Sequence, residues 1–411
     1  MTYDLLVIGG GAGGCFAAIR TAELHHGARI CILESARKPL SKVEISGGGR
    51  CNVTHACFDP EELISYYPRG SKELLGPFYH FQPSDMVDWL SSKGVALKTE
   101  PDGRMFPVTD QSTTIIDCFL SSIRRLGIKL STSTRVKQWE WSGEQNIWKV
   151  YLQDGQVMQS RVLLIASGSD QRTWDTLRQA GHQIIPPVPS LFTFNIRDAQ
   201  LTSLPGISKS HVKVKLPQFK LESEGPLLIT HWGLSGPAIL KLSAWGARVL
   251  YEANYVFDVE IQWTGDEDEQ ETAHWIRSMA NMHGKKQVVN IAVEQFPSRL
   301  WKYLCQRAGI APQVTGAEMS QKQLDALLKM LCKDTYRVTG KSTFKDEFVT
   351  AGGVSLKQVD LRKFESKLLP GLFFAGEVLD IDALTGGFNF QAAWTGAALA
   401  AEAIADRLQH P

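Results

Sequence analysis

Three glycines at positions 9, 11 and 14 follow directly on the apolar run of residues 3–8 and precede an alanine-rich helical pattern over residues 15–24. In a strand–turn–helix unit, the first glycine permits the tight turn and the second lets the backbone approach a pyrophosphate. The third lets the helix pack closely against the strand. Because phosphates bind where the N–H groups of a helix N-terminus are unpaired, this spacing predicts a dinucleotide-binding turn.

An acidic residue, Glu34, stands where a dinucleotide fold needs one. Residues 28–34 form a second apolar strand, which ends on Glu34, twenty positions after Gly14. A carboxylate at this point accepts both hydroxyls of a ribose and repels a 2′-phosphate. The N-terminal βαβ unit is therefore predicted to bind FAD or NAD and to reject NADP.

The rest of the chain predicts a discontinuous α/β domain. Two more apolar strands, at residues 162–166 and 371–375, end in glycine-containing turns. Between them, residues 190–263 carry strand-like runs separated by proline and glycine, and residues 265–333 have a helical pattern. The simplest arrangement is one α/β domain built from both ends of the chain, with a β domain and a helical segment inserted.

The C-terminal segment favours FAD over NAD. A strand that ends in Gly376 and Glu377, followed by a helix that begins near residues 387–389, resembles the C-terminal flavin motif of FAD oxidoreductases. In that motif the strand end contacts the ribityl–phosphate part of the cofactor. The helix N-terminus stabilises negative charge at the pyrimidine edge of the reduced flavin. Proteins that bind only NAD need no such second anchor, so the predicted cofactor is FAD.

Taken together, the motifs at residues 42–52, 166–168, 230–237, 350–354 and 369–398 resemble those of the BaiN/RdsA-type (aminoacetone oxidase-like) family of NAD(P)/FAD-dependent oxidoreductases. The resemblance implies a Rossmann-like FAD-binding domain with an inserted β-barrel-like domain and a small helical domain. The corresponding boundaries are 1–188 plus 346–411 for the FAD domain, 189–264 plus 334–345 for the β domain, and 265–333 for the helical domain.

The fingerprint, the C-terminal motif and the family resemblance imply a set of cofactor-binding positions. Val136 is expected to hold the adenine side through its backbone. The full set is Gly9, Gly11, Ala12, Gly13, Gly14, Glu34, Ser35, Lys42, Ser46, Gly47, Arg50, Cys51, Asn52, Val136, Ala166, Ser167, Gly168, Gly376, Glu377, Gly387, Phe388, Asn389 and Phe390. The segment 167–174 is shorter and more polar than in the family pattern, which changes the cleft expected beside the flavin.

No catalytic residue is identified outright, and Arg50 and His231 are the candidates. A guanidinium at Arg50 can pair with phosphate, stabilise the reduced flavin or bind a carboxylate substrate. It can equally cap carbonyl groups of the glycine loop. His231 lies in a glycine-rich turn of the inserted domain, where it can act as an acid or base or simply pack at a domain interface.

Cys51 and Cys57 raise the hypothesis of a redox-active dithiol. Flavin disulfide reductases use a C-x₄-C spacing, whereas this pair has C-x₅-C, and the chain has no second GxGxxG to hold NADPH. Cys51 is therefore expected to pack or to line the flavin. No cluster of His, Cys and Asp has metal-ligand spacing, so no metal site is predicted.

Composition narrows the functional classes. The 411 residues carry 44 basic and 43 acidic side chains, a net charge of +1, which does not favour a broad nucleic-acid surface. Seven scattered cysteines and short apolar runs predict a cytoplasmic protein that does not enter the membrane. The expected function is hydride transfer through flavin N5 between a donor and an unidentified small-molecule substrate. The donor is either an organic molecule or a reduced nicotinamide, NADH or NADPH, that binds transiently. A tRNA-modifying flavoprotein and a non-catalytic flavin-binding protein are the alternatives, and the sequence does not predict the oligomeric state.

Overall fold

The computed structural model describes residues 2–342 and 349–410, and these residues form two compact units. The first unit combines the residues up to Val188 with those from 349 onward. The second unit contains the residues from Pro189 to 342. The boundary predicted between residues 345 and 346 lies outside the described residues.

The elements follow in chain order. The first segment contains strands β1 (Thr2–Ile8), β2 (Ile30–Leu33), β3 (Thr54–His55), β4 (Leu97–Thr99), β5 (Arg104–Pro107), β6 (Lys129–Ser131), β7 (Val136–Ser142), β8 (Ile147–Leu152), β9 (Val157–Ile165) and β10 (Ile184–Ser190). Its helices are α1 (Ala12–Leu24), α2 (Ser41–Gly49), α3 (Pro60–Leu63), α4 (Ser71–His80), α5 (Pro83–Ser92), α6 (Ser112–Arg125) and α7 (Gln171–Gln179). The middle segment contains β11 (Thr193–Ile196), β12 (Ser208–Leu216), β13 (Leu221–Thr230), β14 (Gly233–Ser235), β15 (Phe257–Gln262) and β16 (Asp334–Ser342), with helices α8 (Ala199–Thr202), α9 (Pro237–Trp245), α10 (Ala247–Glu252), α11 (Glu269–Met282), α12 (Ser298–Arg307) and α13 (Gln321–Cys332). The last segment contains β17 (Val349–Val354), β18 (Val359–Asp360), β19 (Glu365–Ser366), β20 (Leu372–Phe374) and α14 (Phe388–Gln409).

The first unit is built on a sheet whose central strands run parallel in the order β20-β9-β1-β2-β6. Leu5 of β1 lies opposite Ile30 of β2 on one side and Val162 of β9 on the other. The central stretches of β1, β2, β9 and β20 are buried apolar runs, because parallel sheets are covered on both faces. Their carboxyl ends meet at one edge of the sheet, so the turns after β1, β2, β9 and β20 come together there.

The second unit is a closed six-stranded barrel in the order β11-β14-β13-β12-β15-β16, accompanied by helices. The barrel and helices α11, α12 and α13 share one hydrophobic cluster, which includes Trp263 of the barrel side and Trp301 of α12. The predicted fold class, a Rossmann-like domain with barrel and helical parts, is confirmed. Barrel and helices belong to one compact unit, and their division into two domains stays a prediction.

A helix that crosses a membrane has to be long and apolar enough to span the hydrocarbon core of the bilayer. Across residues 2–342 and 349–410, no helix combines the length and the apolar character needed to cross a membrane.

Candidate cofactor and active site

The glycine turn after β1 has two glycines that pack and one that faces open space. A Cβ on Gly9, where φ is +109°, would lie 2.3 Å from the carbonyl oxygen of Ala166. A Cβ on Gly14 would lie 2.0 Å from the carbonyl oxygen of Gly9. Of the described residues, none has an atom within 4 Å of the position that a Gly11 Cβ would take. Gly9 and Gly14 therefore pack the turn against the sheet, and Gly11 leaves open space beside the turn.

Helix α1 begins at Ala12, directly after Gly11, and no described side chain caps this N-terminus. The first N–H groups of a helix have no partner within the helix, so those of Ala12 and Gly13 are available to an anion. A Cβ on Gly13 would lie 3.3 Å from the Cβ of Ala375, which follows β20. The start of α1 therefore contacts the end of β20, where the predicted C-terminal motif begins.

Glu34 lies at the carboxyl end of β2, beside the glycine turn. One carboxylate oxygen accepts the backbone N–H of Gly10 at 2.7 Å, and the other accepts that of Ala36 at 2.6 Å. The hydroxyl of Ser35 lies 3.4 Å from the second oxygen. The oxygen that accepts from Gly10 has a further lone pair, so it can still accept a ribose hydroxyl.

Val136 begins β7 and is half-buried, opposite Leu152 of β8. The chain that leads to it runs past Glu34, because the N–H of Thr134 donates to the carbonyl oxygen of Glu34 at 2.8 Å. Val136 is two residues after Thr134, which contacts Glu34 at the predicted ribose site. A contact between the Val136 backbone and the adenine stays a prediction.

Helix α2 is interrupted by the glycine loop that the sequence singled out. Ser46 is extended and Gly47 has φ +57°, so the regular helix stops there. The hydroxyl of Ser46 donates to the carbonyl oxygen of Val43 at 2.9 Å. Further along, Cys51 is fully buried with φ +61°, and Asn52 is buried with an Oδ1 atom that no described residue satisfies.

Lys42 and Glu377 bind each other. The ammonium group of Lys42 lies 2.5 Å from one carboxylate oxygen of Glu377, and the N–H of Thr350 donates to the other at 2.9 Å. This pair joins α2 to the end of β20. Gly376, with φ +77°, faces the side chain of Ala393 on α14.

The turn after β9 brings Ala166, Ser167 and Gly168 to the same edge. The N–H of Ala166 donates to the carbonyl oxygen of Ile8 at 2.8 Å. The hydroxyl of Ser167 is buried and has no hydrogen-bond partner in the described part of the chain. Gly168 has φ +61°, and a Cβ there would lie 3.7 Å from Glu377.

The shortened segment after Gly168 is held firmly. Asp170 caps α7 by accepting the N–H of Thr173 at 2.9 Å. The indole N–H of the buried Trp174 donates to the carbonyl oxygen of Val378 at 2.9 Å, which ties α7 to the segment after β20.

The residue before α14 packs tightly against the backbone of β3, whereas no described side chain caps the first N–H groups of the helix. Gly387 precedes the helix with φ +94°, and a Cβ there would lie 2.5 Å from the carbonyl oxygen of Thr54. No side chain among the described residues caps this terminus. Phe388 is buried, and the ring of Phe390 stacks on Trp394 with centroids 5.6 Å apart.

Asn389 has a structural function that the sequence did not predict. Its Oδ1 accepts the N–H of Ala383 at 2.9 Å, and its Nδ2 donates to the carbonyl oxygen of Ala383 at 3.0 Å. The side chain thus closes the loop before α14. A direct contact between Asn389 and the cofactor stays a prediction.

These features fit FAD. The open space beside Gly11 and the uncapped start of α1 suit a pyrophosphate, and the uncapped start of α14 suits the pyrimidine edge of a flavin. The unsatisfied oxygens of Asn52 and Ser167 can pair with hydroxyl or amide groups of the ligand.

Arg50 is engaged by protein groups. Its Nη1 lies 2.6 Å from Glu100, its Nε donates to the carbonyl oxygen of Gly47 at 3.4 Å, and its guanidinium lies 4.0 Å from the ring centroid of Phe106. The carbonyl-capping alternative is therefore observed. A contact between Arg50 and phosphate, flavin or substrate stays a prediction.

His231 lies in the second unit, on the exposed turn between β13 and β14. The hydroxyl of Thr230 stabilises this turn by donating to the carbonyl oxygen of Gly233 at 3.1 Å. All the predicted cofactor positions lie in the first unit. The assignment of His231 as an acid or base stays a prediction.

His55 packs against the first residue of α14. Its ring stacks on Phe388 with centroids 4.5 Å apart, and its Nε2 lies 3.0 Å from the carbonyl oxygen of Asp102. Burial lowers the pKa of His55, so its imidazole is neutral near pH 7. No local sequence pattern around residue 55 predicts its contact with Phe388, because Phe388 is more than three hundred positions away.

One cluster of potential metal ligands, His211, Glu224 and Asp266, comes together on the barrel although sequence spacing did not suggest it. The ammonium group of Lys213 lies 3.0 Å from Asp266 and already neutralises it. We therefore assign no metal to this cluster.

Both cysteines of the dithiol hypothesis are free and buried, and we expect both Cys51→Ser and Cys57→Ser to retain flavin reduction. Burial raises the pKa of Cys51 to about 12 and that of Cys57 to about 11, so thiolates are scarce near neutral pH. The measurement is the rate of anaerobic flavin bleaching by a reduced nicotinamide. Loss of bleaching in both variants, with FAD content unchanged, would restore the dithiol hypothesis.

Comparisons with known proteins identify the family of the chain. The profile of the family described as "HI0933-like protein Rossmann domain" matches residues 3–403. The chain is 26% identical over 409 residues to a ribosomal RNA dihydrouridine synthase of Escherichia coli, covering 96% of both chains. It is 28% identical over 417 residues to a 3-dehydro-bile acid delta(4,6)-reductase of Clostridium scindens, covering 98% of both.

Among solved structures, a 3-ketosteroid-delta4-(5alpha)-dehydrogenase of Rhodococcus jostii has a similar fold, with a TM-score of 0.53 at 13% identity, covering 98% of this chain and 97% of that one. The profile match spans nearly the whole chain and confirms the resemblance seen in the motifs. The chain therefore belongs to the HI0933-like Rossmann family, and it is a flavin-dependent oxidoreductase with FAD as its cofactor.

Proposed function

We propose that this protein is an FAD-dependent reductase that saturates a carbon–carbon double bond conjugated to a carbonyl group. The structural observation that carries the proposal is that α1 and α14 both have uncapped N-termini and both contact the turn after β20, α1 through Gly13 and α14 through Ala393. The names of two relatives support the substrate class. A dihydrouridine synthase and a delta(4,6)-reductase of a 3-dehydro-bile acid both saturate ring double bonds near carbonyl groups.

When bound, FAD would supply the transfer of a hydride, which carries two electrons, between a donor and an acceptor. The protein residues hold it. The turn at Gly9–Gly14 and the start of α1 bind the pyrophosphate, Glu34 accepts the ribose hydroxyls, and the N–H groups at the start of α14 stabilise negative charge on the flavin. The ion pair between Lys42 and Glu377 fixes α2 to the segment after β20.

A reduced nicotinamide, NADH or NADPH, is the proposed donor. The sequence has one GxGxxG fingerprint, and FAD occupies it in this proposal, so the nicotinamide binds only transiently. Saturation of a conjugated double bond adds a hydride to one carbon and a proton to the other. Arg50 and His231 remain the candidate catalytic residues.

The test begins with anaerobic mixing of the FAD-loaded protein with NADH and, separately, with NADPH. We expect one of them to bleach the flavin, and a cyclic enone such as cyclohex-2-enone or a 3-oxo-Δ4 steroid to restore its colour and yield the saturated ketone. Cyclohexanone, which lacks the double bond, is the matched control. Reoxidation by oxygen alone, with no conjugated acceptor consumed, would contradict the proposal.

Reduction of uridine in ribosomal RNA is a second candidate, favoured by the relative from Escherichia coli. The chemical step is the same, but the substrate is a polyanion, and the net charge of +1 does not favour one. Unmodified ribosomal RNA fragments and free uridine therefore form a discriminating pair. Salt-sensitive turnover of the RNA, without turnover of enones, would select this candidate.

A further inference from the structure

The loop that leads into α14 contains a buried charge. The carboxylate of Asp382 is fully buried and forms a bidentate pair with Arg69, whose side chain is 13% exposed. The two residues also form an isolated antiparallel bridge through their backbones. A buried carboxylate is tolerated only when it is paired, so this loop has one favourable position, the one in which Asp382 meets Arg69.

Residues next to Arg69 hold the same loop and the first residue of the helix. The N–H of Leu384 donates to the carbonyl oxygen of Tyr66 at 2.9 Å. The hydroxyl of Tyr67 donates to the carbonyl oxygen of Phe388 at 2.6 Å. The ring of Tyr66 stacks on that of Phe388, with centroids 4.1 Å apart and an angle of 12°.

These contacts all connect residues 66–69 to the N-terminus of α14 and the loop before it. Arg69, Tyr66 and Tyr67 belong to a segment that contains none of the glycine motifs, yet each of them holds the loop at 382–388. Asn389 closes the loop from the helix side through Ala383. The start of α14 is therefore positioned by Arg69, Tyr66 and Tyr67, which lie outside the cofactor motifs, together with Asn389.

We infer that Arg69 is a positioning residue for the flavin, which acts by holding Asp382 and, through it, the N-terminus of α14. The inference rests on the proposed function. The stabilisation of an anion by a helix N-terminus falls off within the first turn of the helix. A small displacement of this loop therefore weakens the binding of the reduced, negatively charged flavin more than that of the oxidised flavin.

The test is Arg69→Lys in the full chain, which keeps the charge but loses the bidentate geometry. We expect the reduced flavin to bind about tenfold more weakly relative to the oxidised flavin, which corresponds to a midpoint potential about 30 mV more negative for the two-electron couple. The readouts are the dissociation constant of FAD, measured with the deflavinated protein, and the midpoint potential, measured by dye-coupled reduction. Arg362→Lys is the matched control, because Arg362 forms the same kind of pair with Asp360 but is 86% exposed.

Tyr67→Phe provides a second variant that preserves side-chain volume and removes only the hydrogen bond to Phe388. It is expected to shift the potential in the same direction by a smaller amount, and it keeps the test open if Arg69→Lys fails to fold. Wild-type potentials in every folded variant of the two would overturn the inference. Failure of the proposed function is distinct, because it shows in the wild-type protein as absence of bleaching or of enone reduction.

Discussion

The Gly14→Ala protein is expected to purify with little or no bound flavin. The added methyl group would lie 2.0 Å from the carbonyl oxygen of Gly9 and 3.2 Å from the Cβ of Ala166, so α1 has to move away from the sheet. Overpacking of this kind costs about 1–3 kcal/mol. If the whole cost falls on the cofactor-binding geometry, the affinity for FAD decreases by roughly 5- to 150-fold. The measurement is the flavin-to-protein absorbance ratio, followed by FAD titration of the deflavinated protein.

Two matched glycine variants separate packing from cofactor contact. Gly76→Ala in α4 adds a methyl group where no described atom lies within 4 Å, and we expect wild-type flavin content. Gly11→Ala adds one in the open space beside the turn, so it should lower FAD affinity without lowering the thermal stability of the flavin-free protein. Wild-type FAD affinity in Gly14→Ala would contradict the packing explanation.

Asp334→Ala is expected to destabilise the second unit by about 3–5 kcal/mol, as removal of one partner from a buried ion pair does. The fully buried carboxylate accepts from Arg307 at 2.8 Å, from the indole of Trp263 at 3.0 Å and from the hydroxyl of Tyr336 at 2.5 Å. Burial raises the pKa of Asp334, and the charge of Arg307 opposes that rise. The substitution leaves three donors without their acceptor between the barrel and α12.

The measurement is denaturation by urea followed by tryptophan fluorescence, to which Trp263 contributes as one of 11 tryptophans. Asp258→Ala is the matched control on the same barrel. Asp258 pairs with Arg337 at 2.9 Å across neighbouring strands, but both side chains are largely exposed, so the expected effect is about 0–1 kcal/mol. Equal destabilisation by the two substitutions would show that the buried network adds nothing specific to stability.

Local sequence patterns determined the cofactor edge of this protein. The turn at Gly9–Gly14 and the acid at Glu34 are encoded within one βαβ unit, where the backbone itself requires glycine and the strand end requires a polar residue. The apolar runs at residues 162–166 and 371–375 predicted parallel strands, and both pair in the central sheet. Spacing therefore predicted a dinucleotide-binding fold, whereas the choice of FAD and the family came from the resemblance of the motifs to those of known flavoproteins.

Tertiary structure decided how that edge is supported. Lys42 and Glu377 are 335 positions apart, and Arg69 and Asp382 are 313 apart, so no local periodicity marks either pair. The barrel and helices of the second unit share one hydrophobic core, which the change from a strand-like to a helical pattern at residue 265 does not reveal. Short-range spacing encodes turns and strands because each depends on neighbouring backbone atoms. Pairing between distant side chains depends on where the whole fold places them, and only the folded chain reveals that Asn389 and Arg69 hold the helix on which the flavin is proposed to rest.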